Sequence, residues 1–485
     1  MITRISDNSL SLASEFVATN MCLHFPIDKW CDLERGINSA SEKLGFKDAE
    51  SCIKWLVNSQ LTKKQIEILA SYLTTGETYF FRDKTSFEAL EDYLLPDLIF
   101  SRRGKEPHLR IWCAGCSSGE EPYSIAIQLS KMIPDLKDWN ITILATDINP
   151  LVLQKASNGV YSEWSFRDTP AWIRKYFKKT KNGFEILPDI KKMVTFSYHN
   201  LAEDTYPSLL NNTNAMDIIF CRNVMIYFSP ENTKRVVQNF HSCLIEGGWL
   251  IVSPVETSHI LYSQFKKIKF HDRIFYKKNG NKSQKLEEPV TETAYYHPTH
   301  GGIQVAPPPP AHFAPQIEKP PTYEEALALY EKGKYSEAVE IIAKLVSSDP
   351  NNSKTILLLA QAYANMGKLT EANEWCEKAI KEDRLNPRNH YLHATILEER
   401  GQIDDAVKSL KKALYLDQDF VLAHFGLGNL CKKQGKSKES EKYFETALML
   451  LRRLGQNETL LESEGITAGR LSEIITTMRK GGESI

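Results

Sequence analysis

The stretch "LRIWCAGCSSGEEPYSIAIQLSKMI", residues 109–133, decides the fold class. It opens on a short apolar run that ends in small residues and passes directly into a helical pattern from Glu120. The same alternation continues downstream. "ITILATD" (141–147) reads as a second strand, and "PLVLQKASNGVY" (150–161) as a helix. "MVTFSYHNL" (193–201) is a third strand, and "AMDIIFCRNVMIYF" (215–228) contains a fourth. "ENTKRVVQNFHSCLIEGG" (231–248) predicts an amphipathic helix ended by Gly247 and Gly248. "WLIVSPVE" (249–256) is a fifth strand and "DRIFYKK" (272–278) a last one. Strand and helix alternate, so the pattern predicts a doubly wound, Rossmann-like α/β domain with a mostly parallel sheet.

Ligands of such sheets bind at the carboxyl ends of the strands. Four strands end there in distinctive residues: the small-residue loop "CAGCSSG", Asp147, Asn200–Leu201 and "CRN" at 221–223. An acidic residue about where Asp147 stands commonly holds a ribose diol. Cys113 and Cys116 form a C-x-x-C, but no second pair offers the further ligands zinc would need. No metal site is expected. The loop after the first strand lacks G-x-G-x-x-G, which argues against a dinucleotide oxidoreductase.

Outward from this core the chain divides further. Residues 1–73 carry helical patterns such as "DKWCDLERGINSASEKLG" and "KKQIEILASYL" and predict a small helical domain, followed by the α/β domain over 74–280. Residues 281–318 are punctuated by proline and glycine and predict a flexible linker with a polyproline segment at Pro307–Pro310. Beyond it, Gly333, Gly367, Gly401 and Gly435 recur every 34 residues. Small residues precede each by seven (Ala326, Ala360, Ala394, Gly428) and follow each by five (Ala338, Ala372, Ala406, Ser440). Antiparallel helices cross closely only where side chains are small, so residues 319–485 predict four tetratricopeptide repeats and a capping helix. A groove made by such repeats suits a helix or extended peptide of a protein partner.

Lys plus Arg number 60 against 61 Asp plus Glu, so a global basic field for nucleic acid is excluded. No long apolar run predicts membrane insertion, and nothing near Met1 reads as a signal peptide. Nine scattered cysteines fit reduced thiols in a cytoplasmic protein.

In chain order, "TGETYFFRD" (75–83), "IWCAGCSSGEEPYSIAI", "ATDINPLVLQKASNGVY", "HNL", "DIIFCRNVMIYF" and "LIEGGWLIVSPVET" resemble the CheR chemoreceptor methyltransferases. The likeness runs from about residue 73 to 278. It implies S-adenosylmethionine as cofactor, glutamate side chains of methyl-accepting chemotaxis-type receptors as substrate, and a cytoplasmic receptor helix as partner. By match, Glu120 and Asp147 are implied as cofactor acids, Asn200 and Leu201 as the adenine contacts, and Arg222 and Asn223 as the pair beside the cofactor. Gly76, Thr78 and Arg82 would meet its methionine portion, with Arg82 and Tyr227 at the reacting centre. Phe80 and Phe81 are expected to anchor the junction of the helical and α/β domains.

Three features depart from the family pattern. Gly76 stands where many relatives carry asparagine. The stretch "DKWCDLERGINSASEKLG" mixes charges where flagellar-type relatives are arginine-rich, which weakens steering toward an acidic helix bundle. "YFKKTKNGFEILPDI" (176–190) reads as an inserted hairpin with a short loop, and implies that no receptor tether peptide is needed. Other readings remain open: an idle cofactor-binding scaffold in a chemosensory-like array, or a methyltransferase with another substrate.

Overall fold

The computed structural model describes residues 5–103, 107–279, 321–456, 458–460 and 466–480. The expected linker at 281–318 lies outside them.

Four helices come first: α1 (Asp7–Met21), α2 (Trp30–Lys43), α3 (Ala49–Asn58) and α4 (Lys63–Leu73). Ser6 and Asp48 cap α1 and α3 through side-chain oxygens, and Thr62 with Gln65 forms a capping box on α4. Their inner faces bury Leu33, Ile37, Cys52, Leu56, Leu69 and neighbours in one core. Helices α5 (Lys84–Ala89) and α6 (Leu95–Arg102) lead into the sheet.

The α/β domain follows as β1 (His108–Ala114), α7 (Glu120–Met132), β2 (Asn140–Asp147), α8 (Pro150–Asn158), β3 (Val160–Tyr161), β4 (Phe177–Thr180), β5 (Gly183–Ile186), α9 (Pro188–Lys191), β6 (Val194–Tyr198), β7 (Met216–Phe220), α10 (Pro230–Cys243), β8 (Leu244–Ile251), β9 (Phe265–Phe270) and β10 (Arg273–Lys278). The main sheet has seven strands in the order β6-β2-β1-β7-β8-β10-β9. The first five are parallel, and β10 runs antiparallel to β8 and β9. Strand order reverses at β1, which opens a crevice above the ends of β1, β2 and β7. A smaller antiparallel sheet, β3-β5-β4, contains the inserted hairpin.

Two expectations are corrected. Helix α10 stops at Cys243, and Gly247–Gly248 lie inside β8. Gly247 adopts φ +81°, and a Cβ on Gly248 would sit 2.9 Å from the Ile245 carbonyl and 3.1 Å from that of Met216. The pair therefore makes the irregularity where the β7–β8 register shifts. Strand β9, "FKKIKF", was not expected, because its lysines hide the two-residue apolar period.

The repeats are paired helices: α11 (Tyr323–Glu331) with α12 (Tyr335–Ser348), α13 (Ser353–Asn365) with α14 (Leu369–Glu382), α15 (Pro387–Glu399) with α16 (Ile403–Leu416) and α17 (Val421–Lys433) with α18 (Ser437–Leu451). Helix α19 (Ala468–Lys480) packs on α18. The four turn glycines have φ between +70° and +76°. At Gly428 a Cβ would lie 2.5 Å from the Phe444 ring, which is why the small position matters there.

Three successive repeat turns lie along the amino-terminal edge of the sheet. Gly333 sits beside Ser242, Gly367 beside Ile245 and Ala215, and Gly401 beside Asn140. The segment between β6 and β7 completes the contact. Leu209 packs on the core of the first repeats, and Leu210 on the core formed by α17, α18 and α19.

Candidate active site

A cavity of about 540 Å³ lies between the α/β domain and the N-terminal helices. Its size suits a small-molecule site. Thr78, Arg82, Asp147, Asn200, Leu201, Arg222, Asn223, Tyr227 and Gly76 all line it. Residues scattered over 150 positions are thus brought to one wall system.

The wall from "TGETYFFRD" is held by aromatic packing. Phe80 is buried against Tyr161, Phe166 and Phe177, and Phe81 against Phe87 and Trp172. Both rings belong to the α/β core and not to the N-terminal helical core, so they do not bridge the two as expected. The Phe81 N–H donates to Ser124 Oγ (3.0 Å), and the Phe80 N–H to the Ser165 carbonyl (2.9 Å). Phe81 and Asp83 both adopt left-handed φ, at 54° and 63°. These anchors fix the sharp turn that carries Arg82.

The arginines differ in their pairing. Arg222 is buried; its Nη1 lies 3.0 Å from Glu121 and its Nη2 3.5 Å from Asp83. Its Nη2 also donates to the Arg82 carbonyl (2.5 Å). Arg82 donates to the Glu77 carbonyl (2.9 Å), and among the described residues no carboxylate lies within ion-pair distance of it.

Asp147 ends β2 on the cavity wall. One carboxylate oxygen accepts from the Ser117 N–H (2.9 Å), the other from the Asn149 N–H (2.9 Å). Burial raises its pKa, against the lowering effect of those backbone donors. Gly115 closes the loop at φ +78°, where any side chain would strike Val224. Asn200 lines the cavity, but its amide is engaged: Nδ2 donates to the Asn20 carbonyl (2.8 Å) and Oδ1 accepts from the Ala202 N–H (3.0 Å). Tyr227 stands at the mouth with its hydroxyl 3.1 Å from Thr75 Oγ1.

Glu120 is placed otherwise than expected. In the first turn of α7 its carboxylate turns into the protein, accepting from Ser118 Oγ (2.7 Å) and Ser165 Oγ (2.9 Å). Its neighbour Glu121 lines the cavity instead. Consecutive helical residues point about 100° apart, and only one of two adjacent glutamates can face the crevice. Burial raises both carboxyls, with Arg222 opposing the shift at Glu121.

Glu256 also escaped sequence reading. Its carboxylate accepts from the backbone N–H groups of Asn223 (2.9 Å), Val224 (2.8 Å) and Ser253 (2.9 Å), and so fixes the loop after β7. Asn223 is held there at φ 58°. The signal was present: Ser253 and Glu256 have the S-x-x-E spacing of a capping box. Cys113 and Cys116 are both buried, and burial pushes both thiols well up.

Residues 76–274 match the family described as CheR methyltransferase, SAM binding domain. Residues 323–413 match the anaphase-promoting complex subunit 3 family, and residues 394–435 and 422–450 match tetratricopeptide repeat families. A chemotaxis protein methyltransferase of Borreliella burgdorferi is 33% identical over 52% of this chain and 89% of its own length. Chemotaxis protein methyltransferase 2 of Vibrio cholerae is 35% identical over 46% of this chain and 77% of its own. Chemotaxis protein methyltransferase 1 of Pseudomonas aeruginosa is 34% identical over 50% and 87%. No helix among the described residues is long and apolar enough to cross a membrane. The crevice at the reversal of strand order and these matches converge: the chain belongs to the CheR family of S-adenosylmethionine-dependent methyltransferases and carries tetratricopeptide repeats behind its catalytic domain.

Proposed function

We propose that this chain methylates glutamate side chains on the cytoplasmic helical region of a chemotaxis-type receptor. The observation that carries the reading is the contrast between the two arginines of the cavity. Arg222 is neutralised by Glu121 and Asp83, whereas among the described residues no carboxylate lies within ion-pair distance of Arg82. A planar guanidinium left in this way suits an incoming carboxylate.

The cavity residues fit the cofactor. The Asp147 carboxylate, braced by two backbone N–H groups, suits a ribose diol. Asn200 and Leu201 would border the adenine, Asn200 through its backbone because its amide is engaged. Thr78 and Gly76 would border the methionine portion, and Arg222 with Asn223 the centre of the cleft. Glu121 replaces Glu120 as the acid of this wall. S-adenosylmethionine supplies an electrophilic methyl on a sulfonium.

The chain's own residues need not remove a proton, because a glutamate with a pKa of about 4.3 is already ionised at neutral pH. Their work is orientation and exclusion of water. Arg82 would hold the acceptor carboxylate, and Tyr227 would close the mouth beside Thr75. Helix α2 contributes Asp32, Arg35 and Ser39 to the outer wall, with Lys29 just before it. This mixed face favours an acceptor helix less acidic than an arginine-rich face would select.

The repeats serve a protein partner in this reading. Leu209 and Leu210 occupy the side facing the sheet, so the partner would use the solvent-facing helices, where Tyr415 is 86% exposed. The test is incubation with labelled S-adenosylmethionine and membranes of the source organism. Base-labile methyl esters on a receptor are expected. Cofactor binding without transfer to any membrane protein would leave the scaffold reading.

A further inference from the structure

Helix α19 belongs to the repeat core, yet its polar edge reaches Tyr198 and Glu203, which flank the cavity-lining residues His199, Asn200 and Leu201. Leu471 and Ile475 are buried among residues of α17 and α18. Arg470, on the other side, lies over the Tyr198 ring at 4.7 Å. Its Nη2 is 3.8 Å from Glu203, and its Nη1 is 3.8 Å from Glu473. Lys63, at the start of α4, also lies over the Tyr198 ring, at 4.4 Å, and is paired with Glu67 at 3.5 Å. Tyr198 is therefore gripped by one cation from the N-terminal domain and one from α19.

Both partners of this junction lead into the cavity within a few residues. Tyr198 ends β6 opposite Asp147 in the β2 ladder, and the next N–H, of His199, donates to the Asp147 carbonyl (3.1 Å). His199, Asn200 and Leu201 follow directly as cavity wall. On the other side, α4 runs from Lys63 to Leu73 and delivers Thr74, Thr75, Gly76 and Thr78 to the opposite wall. Asn149 Nδ2 donates to Thr74 Oγ1 (2.9 Å), Ser117 Oγ to the Gly76 carbonyl (2.9 Å) and Asn200 Nδ2 to the Asn20 carbonyl (2.8 Å), so the two sides already meet through hydrogen bonds. The grip on Tyr198 is a further tie, and its Arg470 half is made only when α19 is docked.

We propose that Arg470 is a positioning residue for the cofactor site: through Tyr198 it holds the β6 end against α4, so that docking of the repeat array sets the affinity for S-adenosylmethionine. The proposal rests on reading the cavity as the cofactor site. It makes the repeats a part of the enzyme's binding apparatus, and any event that displaces α19 a regulator of it. Arg470 touches neither cofactor nor acceptor in this account. Its effect belongs in binding, not in the transfer step.

The experiment is calorimetric titration of the full chain with S-adenosylhomocysteine, together with steady-state methyl transfer at varied S-adenosylmethionine. Arg470→Ala is expected to weaken binding and raise KM by about tenfold, the equivalent of one cation–π contact in a half-buried setting, with kcat within twofold. Arg470→Lys, which keeps a cation for the ring, should recover most of the affinity. Lys63→Met should weaken binding in the same direction, and serves as the test if Arg470→Ala does not fold. Wild-type affinity in a folded Arg470→Ala chain overturns the proposal, as does a fall in kcat at unchanged KM, or failure of lysine to rescue. Absence of binding by the wild-type chain would overturn the cavity reading itself, a separate result.

Discussion

The two edges of the main sheet treat charge in opposite ways. At the carboxyl edge, β1, β2 and β7 end at an open cavity where, among the described residues, no carboxylate lies within ion-pair distance of Arg82 and Asp147 faces the opening. At the amino edge the same strands begin under the repeats, and buried charges there are paired. Arg110 of β1 lies 3.7 Å from Glu399 of α15 and donates to Asn212 Oδ1 (2.7 Å). Asn140 of β2 donates to the Glu399 carbonyl (2.5 Å), and Asp217 of β7 is paired with Arg102 and accepts from the Arg110 N–H (2.8 Å). One edge keeps polar groups available for a visitor. The other pairs its charges across an interface.

The comparison predicts that damage at the two edges will show in different assays. The largest effect is expected at the sealed edge. Arg110→Ala leaves Glu399 buried without its cation, and burial already raises that carboxyl. Breaking a buried pair from one side costs about 3–5 kcal/mol, so the urea midpoint should fall sharply. The double change Arg110→Met with Glu399→Met removes both charges and should regain most of the loss. A double variant no more stable than Arg110→Ala would mean that the pair does not hold the edge. At the open edge, Arg82→Ala should leave the urea midpoint within error and lower methyl transfer roughly 100- to 1000-fold, the usual range for losing a charged donor at a reacting centre. Transfer near the wild-type rate would remove Arg82 from the reaction.

Legibility in the sequence followed the same division. The open edge was readable because small residues, Asp147 and the "CRN" end each interrupt an apolar strand at its carboxyl end, where polar residues have no packing reason to be. Its errors were errors of helix phase: sequence spacing alone does not say whether Glu120 or Glu121 turns to the crevice. The repeats were readable from four glycines in register. Their docking was not. Arg110 lies 289 residues from Glu399, and Leu209 and Leu210 stand in a segment without period, so no local pattern announces that these groups meet. The grip of Arg470 on Tyr198 was hidden for the same reason.

His199 joins the two edges' logic in one residue, since it lines the cavity yet is buried like an interface group. Burial, with Arg470 adding to it, lowers its pKa from 6.5 to about 3. Between those values the unfolded chain binds a proton that the folded chain does not. Stability therefore falls as pH drops through this window, by up to about 1.4 kcal/mol per pH unit. His199→Phe keeps a ring beside Trp112 and Tyr206 and should remove this component, giving a flatter unfolding free energy between pH 6.5 and 4.5. Parallel curves for the two proteins would show that the imidazole is protonated within the fold.

The smallest effect concerns Gly76, where the family resemblance led to an expected asparagine. A Cβ there would lie 3.0 Å from Ser117 Oγ and 3.2 Å from Val152 Cγ1. Ser117 is doubly engaged, donating from Oγ to the Gly76 carbonyl (2.9 Å) and from its N–H to Asp147. The glycine thus permits a contact between the two walls that a side chain would push apart by a few tenths of an ångström. Gly76→Ala should weaken S-adenosylhomocysteine binding roughly three- to tenfold, about 1 kcal/mol of overpacking, with little change in urea midpoint. Gly76→Asn separates the two accounts of this residue. If the glycine is fitted to the close approach of Ser117, asparagine should bind no better than alanine. Tighter binding than wild type would mean instead that the chain has lost a side-chain contact to the cofactor, and that the open edge retains space for it.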